Sequence, residues 1–229
     1  MEKFSFYEIL SFLIPRFILV TVILLYQQLV FGCHPLISIE GKFGENILLI
    51  CLSLFAGVLV HVFTFGLLKK NKWVKYIIMP SVQKISMQNK FIKKTIPFLN
   101  EEYKTLRKHN DEAVKKDEAE ENLFDFAYYY LEVNNKIAPS KNFQSLYFWF
   151  RNMFVISLFL IPVSIAIMAI TLCNCYTYEQ RENAIWILII NLIMLFIIIP
   201  TARWLREKYI DKILWSYYVE RIHKNENKN

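Results

Sequence analysis

Glycine is scarce in this sequence, with five residues in 229, and the strand-like alternation of apolar and polar residues is absent. Both features disfavour a sheet protein and favour helices. Four sequence motifs of enzymes and nucleotide-binding sites are missing: the phosphate-binding loop, Gly-x-Ser-x-Gly, His-Glu-x-x-His and Gly-x-Gly-x-x-Gly. The four histidines are scattered along the chain. We therefore expect no catalytic residue, no cofactor and no metal, and hence not an enzyme.

Apolar residues are abundant and make up 55% of the chain. Four runs, residues 13–31, 46–68, 153–172 and 184–201, match the roughly 20 residues that cross a bilayer core about 30 Å thick. The sequence predicts an all-α integral membrane protein with four spans in two hairpins, residues 1–68 and 152–201. The first run is not expected to be a cleaved signal peptide, because it is too long for one and holds Arg16.

A charged stretch, residues 69–151, separates the two hairpins and holds 16 Lys/Arg and 10 Asp/Glu. We expect a helical cytoplasmic insert, in which residues 123–133 carry apolar side chains at helical spacing and pack on another element. A second helix is predicted to begin at Pro139-Ser140 and to run into the third span. The tail, residues 202–229, is predicted to be an amphipathic helix that lies along the membrane surface or docks on the insert.

The distribution of basic residues predicts the orientation. The two short connections within the hairpins hold one Lys/Arg each, whereas residues 69–151 hold 16 and residues 203–229 hold seven. Because basic loops stay in the cytoplasm, we place the insert and both termini on the cytoplasmic side of a bacterial inner membrane. The net charge of +7 has the same origin, so direct nucleic-acid binding is not expected.

Three cysteines fall at the predicted outer ends of the spans. Cys33 follows the first span, and Cys173 and Cys175 follow the third. Disulfides form on that oxidising side of the membrane. We predict a bridge from Cys33 to Cys173 or Cys175; a strained Cys173–Cys175 bridge and free thiols are the alternatives. A Cys-x-Cys pair without a companion histidine is weak support for a metal site.

Four polar residues inside the predicted spans are candidate functional residues, namely Arg16, Gln27, Gln28 and His61. Arg16 lies shallow enough for its side chain to reach the cytoplasmic interface. The two glutamines are expected to face other helices. For His61 we favour a hydrogen bond between helices over a role as proton sensor or ligand-binding residue.

Four residues mark the predicted cytoplasmic ends of the spans, namely Arg151, Asn152, Arg203 and Arg206. Arg151 and Asn152 stand at the inner end of the third span. We interpret them as topological anchors, with a contact to a partner or a lipid head group as the alternative. Arg203 and Arg206 follow the fourth span directly, as the positive-inside rule predicts.

Three short segments carry a resemblance to known proteins: Phe-Tyr-Glu-Ile-Leu-Ser-Phe-Leu-Ile-Pro at 6–15, Gly-Val-Leu-Val-His at 57–61, and Phe-Gln-Ser-Leu-Tyr-Phe-Trp-Phe-Arg-Asn at 143–152. With the hairpin plan, they resemble small four-span bacterial membrane proteins of anti-phage loci. The nearest types are the transmembrane accessory proteins of type VI-B CRISPR systems and the Kiwa membrane subunit. The resemblance leads us to expect Gly after Pro15, where this chain has Arg16.

The resemblance implies a defence accessory or effector that couples a cytoplasmic partner, an RNA-guided nuclease or another sensor, to membrane anchoring or perturbation. The spans would form a homo-oligomer in the bilayer and make it leaky. Two other functions stay open. A channel or transporter component would place Gln27, Gln28, His61 and Asn191 along one pathway. A structural tether would need only its cytoplasmic surface.

Overall fold

The computed structural model describes residues 6–32, 43–82, 85, 93, 96–97, 101, 116–173 and 176–226, and no strand occurs among them. The all-α prediction is confirmed. The elements are α1 (Phe6–Leu25), a π-helical turn (Tyr26–Val30), α2 (Phe43–Lys70), α3 (Lys72–Ile78), α4 (Lys116–Val133), α5 (Ala138–Cys173) and α6 (Tyr178–Glu226).

Three helices in the described part of the chain are long and apolar enough to span a membrane. They are Ile50–Leu68 within α2, Ser140–Cys173 within α5 and Tyr178–Arg221 within α6. A shorter apolar helix, Phe17–Val30, lies where the first span is predicted. Each of the four predicted spans therefore falls on an apolar helix, and three of these helices reach spanning length.

The last two helices are longer than the predicted spans. α5 begins at Ala138, next to the predicted start at Pro139-Ser140. α6 runs without interruption from Tyr178 to Glu226, so the predicted fourth span and tail are one helix rather than two elements. No glycine or proline follows Pro200, and the residues after it include strong helix formers, so nothing in that sequence ends the helix.

The chain divides into two compact units. Met1–Val74 and Ser145–Ala202 form the first, which we call the apolar unit, and Lys75–Gln144 and Arg203–Asn229 form the second, which we call the charged unit. In the apolar unit, α1 contacts α2. The π-helical turn packs on α6 through Tyr26, Val30 and Ala184.

The outer surface of the apolar unit is itself apolar. Large hydrophobic side chains are more than half exposed along α2 and α6; they include Phe55, Val58, Leu59, Val62, Phe63, Phe65, Ile190, Ile193, Phe196 and Ile197. A soluble monomer rarely exposes a contiguous apolar surface of this extent. The surface is suited to contact with lipid or with other apolar helices.

The charged unit has a hydrophobic core of its own, formed by α4 and the second half of α6. Leu123, Ala127 and Leu131 of α4 are fully buried in one cluster with Ile210, Ile213 and Leu214 of α6. Aromatic rings surround this cluster at edge-to-face distances of 5.5 Å (Phe124 and Tyr209) and 5.1 Å (Tyr130 and Tyr217). Of the two alternatives predicted for the tail, docking on the insert is confirmed.

A Schellman motif sets the turn between α4 and α5. The Lys136 N–H donates to the Leu131 carbonyl at 2.8 Å, and the Asn135 N–H donates to the Glu132 carbonyl at 3.0 Å. Asn135 has a φ of 58°, which is left-handed backbone. Glycine is the commonest residue in this conformation at a helix end, and asparagine also adopts it. The Lys136 ammonium lies 2.5 Å from the Glu220 carboxylate and so links this turn to α6.

Candidate functional site

A buried hydrogen-bonded cluster lies inside the apolar unit. The fully buried Ser164 Oγ accepts hydrogen bonds from the Tyr26 hydroxyl and from Asn191 Nδ2, the latter at 3.2 Å. Ser164 Oγ also donates to the Leu160 carbonyl at 2.7 Å. A serine hydroxyl has one donor and two acceptor positions, so all of them are used. We call Tyr26, Ser164 and Asn191 the polar cluster.

The polar cluster belongs to a stripe of small hydroxyl residues on α5. Ser157, Ser164 and Thr171 follow one another at seven-residue intervals and are all buried. Seven residues are about two helical turns, so the three side chains share one face of the helix. Thr171 Oγ1 donates to the carbonyl of Met168, within α5 itself, at 2.8 Å. Small hydroxyl residues at such a face let helices approach closely in apolar surroundings.

The π-helical turn determines which side chains of the first predicted span are buried. The Phe31 N–H donates to the Tyr26 carbonyl at 3.2 Å, five residues earlier, and widens the turn by one residue. Tyr26 is 4% exposed, whereas Gln27 is half-buried and Gln28 is exposed. Both glutamines are predicted to face other helices. Gln28 is exposed, whereas Tyr26 contacts α5 through Ser164.

Arg151 and Asn152, at the inner end of the third predicted span, are buried in the apolar unit. The Arg151 guanidinium lies 4.5 Å from the ring centroid of Phe148 and 5.2 Å from that of Phe65. Cation–π contacts of this kind are attractive and strengthen when the cation is desolvated. Because Phe65 belongs to α2, Arg151 joins α5 to α2.

Arg203 and Arg206 both stabilise packing within the charged unit. Arg203 Nε donates to the Ile77 carbonyl at 2.5 Å, at the end of α3, where helix carbonyls lack partners and carry negative partial charge. The buried Arg206 guanidinium lies 5.2 Å from the Phe124 ring and 5.8 Å from the Tyr209 ring. Both residues therefore contact other elements of the charged unit.

A polar network links α4 to the start of α5 in the charged unit. Gln144 Nε2 donates to the Tyr128 hydroxyl at 3.3 Å, and that hydroxyl donates to Glu132 at 3.5 Å. Burial raises the pKa of Tyr128 above that of a free tyrosine. The hydroxyl therefore stays protonated at neutral pH and keeps its donor role.

Several predicted site residues fall partly or wholly outside the described structure. Arg16 lies in α1 and His61 in α2, and their side chains are outside the described part. Cys173 has a free, exposed thiol, whereas Cys33 and Cys175 lie outside the described residues, so a Cys33–Cys175 bridge stays a prediction. The described residues contain no group of three His, Cys, Asp or Glu side chains that could hold a metal ion.

Sequence analysis does not single out Tyr26 or Ser164. The seven-residue spacing of Ser157, Ser164 and Thr171 is a pattern that identifies the buried face of α5. For Tyr26 the sequence contains no comparable pattern, because a π-helical turn has no composition of its own.

No family model, curated protein or solved structure matches this chain.

The polar cluster contains two hydroxyls and one amide, all neutral groups that hydrogen-bond to one another or to backbone. Such an arrangement holds helices together.

Proposed function

We propose that this chain is a four-span inner-membrane protein that anchors its charged unit at the cytoplasmic face for a protein partner. The observation that carries the proposal is the separate hydrophobic core of the charged unit, built by α4 and α6. A segment with its own core presents a defined surface, which a disordered linker between spans does not. The exposed apolar side chains of α2 and α6 support insertion into lipid.

The polar cluster supports an anchoring role over a conducting pathway. Tyr26, Ser164 and Asn191 are buried, and their hydrogen bonds run between the helices. Residues along a transport pathway contact water or the substrate. Buried groups that hydrogen-bond to one another join helices and do not line a passage.

The exposed face of α6 in the charged unit is suited to a protein partner. Trp204 and Trp215 are 52% and 44% exposed, and Val219 is 47% exposed. The two tryptophans stand eleven residues apart, close to three full helical turns, so they share one face. Tryptophan is enriched among the residues that dominate interface energies. The resemblance makes a defence nuclease or sensor the proposed partner, bound to an oligomer of this chain.

Orientation is tested by reporter fusions. Alkaline phosphatase, which is active only outside the cytoplasm, should be inactive when fused after Asn110 and active when fused after Gly41. The basic residues of the charged stretch hold it inside, which gives this pattern. Activity after Asn110 would contradict the proposed topology.

The defence role is tested by expressing the chain with its genomic neighbours during phage infection. We expect a lower phage titre and a changed membrane potential with the wild-type chain. Trp215→Ala should abolish protection against the phage. It should also abolish co-purification of the neighbouring gene product with the tagged chain. Trp186→Ala removes the same side chain from the apolar unit, where it is 54% exposed, and should change neither readout. Unchanged titre and potential with the wild-type chain would contradict the defence role.

A further inference from the structure

A groove of about 500 Å³ on the apolar unit is lined only by apolar side chains. The segment of α2 between Ala56 and Phe63 and the segment of α5 between Val155 and Phe159 contribute most of the lining, and Leu19 of α1 adds to it. The volume falls within the roughly 300–1,000 Å³ of binding sites for small molecules. Phe63 and Phe159 are more than half exposed, so the groove is open to its surroundings.

Two cationic residues lie beyond the same end of the groove. Lys70 is exposed and follows Phe63 by seven residues, so it stands on the groove face of α2 about two turns further along. Arg151 precedes Val155 by four residues and therefore lies one turn away on the same face of α5. The contact of Arg151 with Phe65 of α2 places both cations toward one end of the groove.

We propose that the groove binds an acyl chain of an anionic phospholipid, with the phosphate near Lys70 and Arg151. The inference rests on the membrane insertion in the proposed function. A groove lined by apolar side chains offers a hydrocarbon chain dispersion contacts and offers water almost no hydrogen-bond partner. The basic end belongs to the side assigned to the cytoplasm, where the lipid leaflet is anionic.

The two cations contribute differently. Lys70 is exposed and can contact a phosphate directly. Arg151 is buried beneath aromatic rings, so its positive charge acts over a longer distance in surroundings of low dielectric constant. The charge at this end should therefore select the head group, and the apolar walls should hold the chain without regard to the head group.

Native mass spectrometry of the full-length chain tests the proposal. The protein is extracted from membranes and titrated with phosphatidylglycerol or phosphatidylcholine carrying identical acyl chains. We expect phosphatidylglycerol to bind about tenfold more tightly. Lys70→Gln should reduce that preference about fivefold, the effect of one lysine near an anionic surface. Lys212→Gln removes the same charge from an exposed position in the charged unit and should leave the preference unchanged.

Ala56→Phe tests the groove itself, because a phenyl ring at this position narrows it. Retention of both lipids should fall at least fivefold, whereas Ala169→Phe at an exposed position on α5 should retain wild-type binding. Equal affinity of the wild-type chain for the two lipids would overturn the proposal. The proposal would also be overturned if the wild-type chain formed a dimer that Ala56→Phe dissociates, because a second copy of the chain would then occupy the groove. Absence of the wild-type chain from the membrane fraction would overturn the proposed function; membrane-bound protein without lipid preference would overturn this inference alone.

Discussion

Replacing Leu131 by alanine should destabilise the charged unit by about 2–5 kcal/mol, the usual range for truncating a fully buried leucine. Leu131 is fully buried in the cluster that joins α4 to α6. Truncation removes apolar contacts on both helices and leaves a cavity, because the two helices close it only partly. Amide hydrogen exchange along α4 should then become faster by about 30-fold or more in the intact chain.

Val133→Ala is the control, because Val133 lies two residues further along the same helix and is 81% exposed. Its effect should stay within about 0.5 kcal/mol, as for most surface substitutions. Equal acceleration of exchange in both variants would show that α4 does not pack through Leu131. Membrane recovery of both variants should match the wild type, since the apolar unit has its own contacts.

Much of the helical architecture follows from local sequence patterns. The spacing of Leu123, Ala127 and Leu131 predicts a helix with one apolar face, and this face is the one buried. Pro139-Ser140 predicts the start of α5, because proline has its preferred backbone angle in the first turn and serine is favoured at helix starts. These features depend on residues within a few positions of one another, so the sequence reveals them directly.

The polar cluster could not be predicted in the same way. Whether Tyr26 or Gln28 is buried depends on one additional residue in the π-helical turn, which rotates every later side chain. The burial of Arg151 depends on Phe65, which lies 86 positions earlier in the chain. The continuity of α6 was also missed, because a change from apolar to charged residues marks a change of environment and does not by itself end a helix.

Ser164→Ala should lower the stability of the apolar unit by about 1–3 kcal/mol, because it leaves two buried donors without their acceptor. The Tyr26 hydroxyl and the Asn191 amide both donate to Ser164. Hydrogen bonds between membrane helices contribute about 0.6 kcal/mol on average and up to about 1.7 kcal/mol. We therefore expect a loss in the lower half of the predicted range of about 1–3 kcal/mol. Thermal unfolding of the protein in lipid nanodiscs measures the loss.

Ser157→Ala is the matched control. It makes the same substitution on the same buried face of α5, two turns before Ser164 and outside the polar cluster. The melting temperature of the Ser157→Ala variant should therefore lie closer to that of the wild type than the melting temperature of the Ser164→Ala variant does. A larger loss for Ser157→Ala than for Ser164→Ala would contradict the role of Ser164 as the acceptor shared by two helices.

The triple change Tyr26→Phe, Ser164→Ala and Asn191→Leu removes donors and acceptor together, and should recover stability to within about 1 kcal/mol of the wild type, because no polar group then remains unsatisfied. A triple variant less stable than Ser164→Ala would contradict this account.

The same triple variant separates the competing functions. An anchor that uses the polar cluster only to join helices keeps its activity during infection, whereas a transport pathway through these residues loses its polar lining and fails. Restored stability with lost activity would therefore favour the pathway over the anchor.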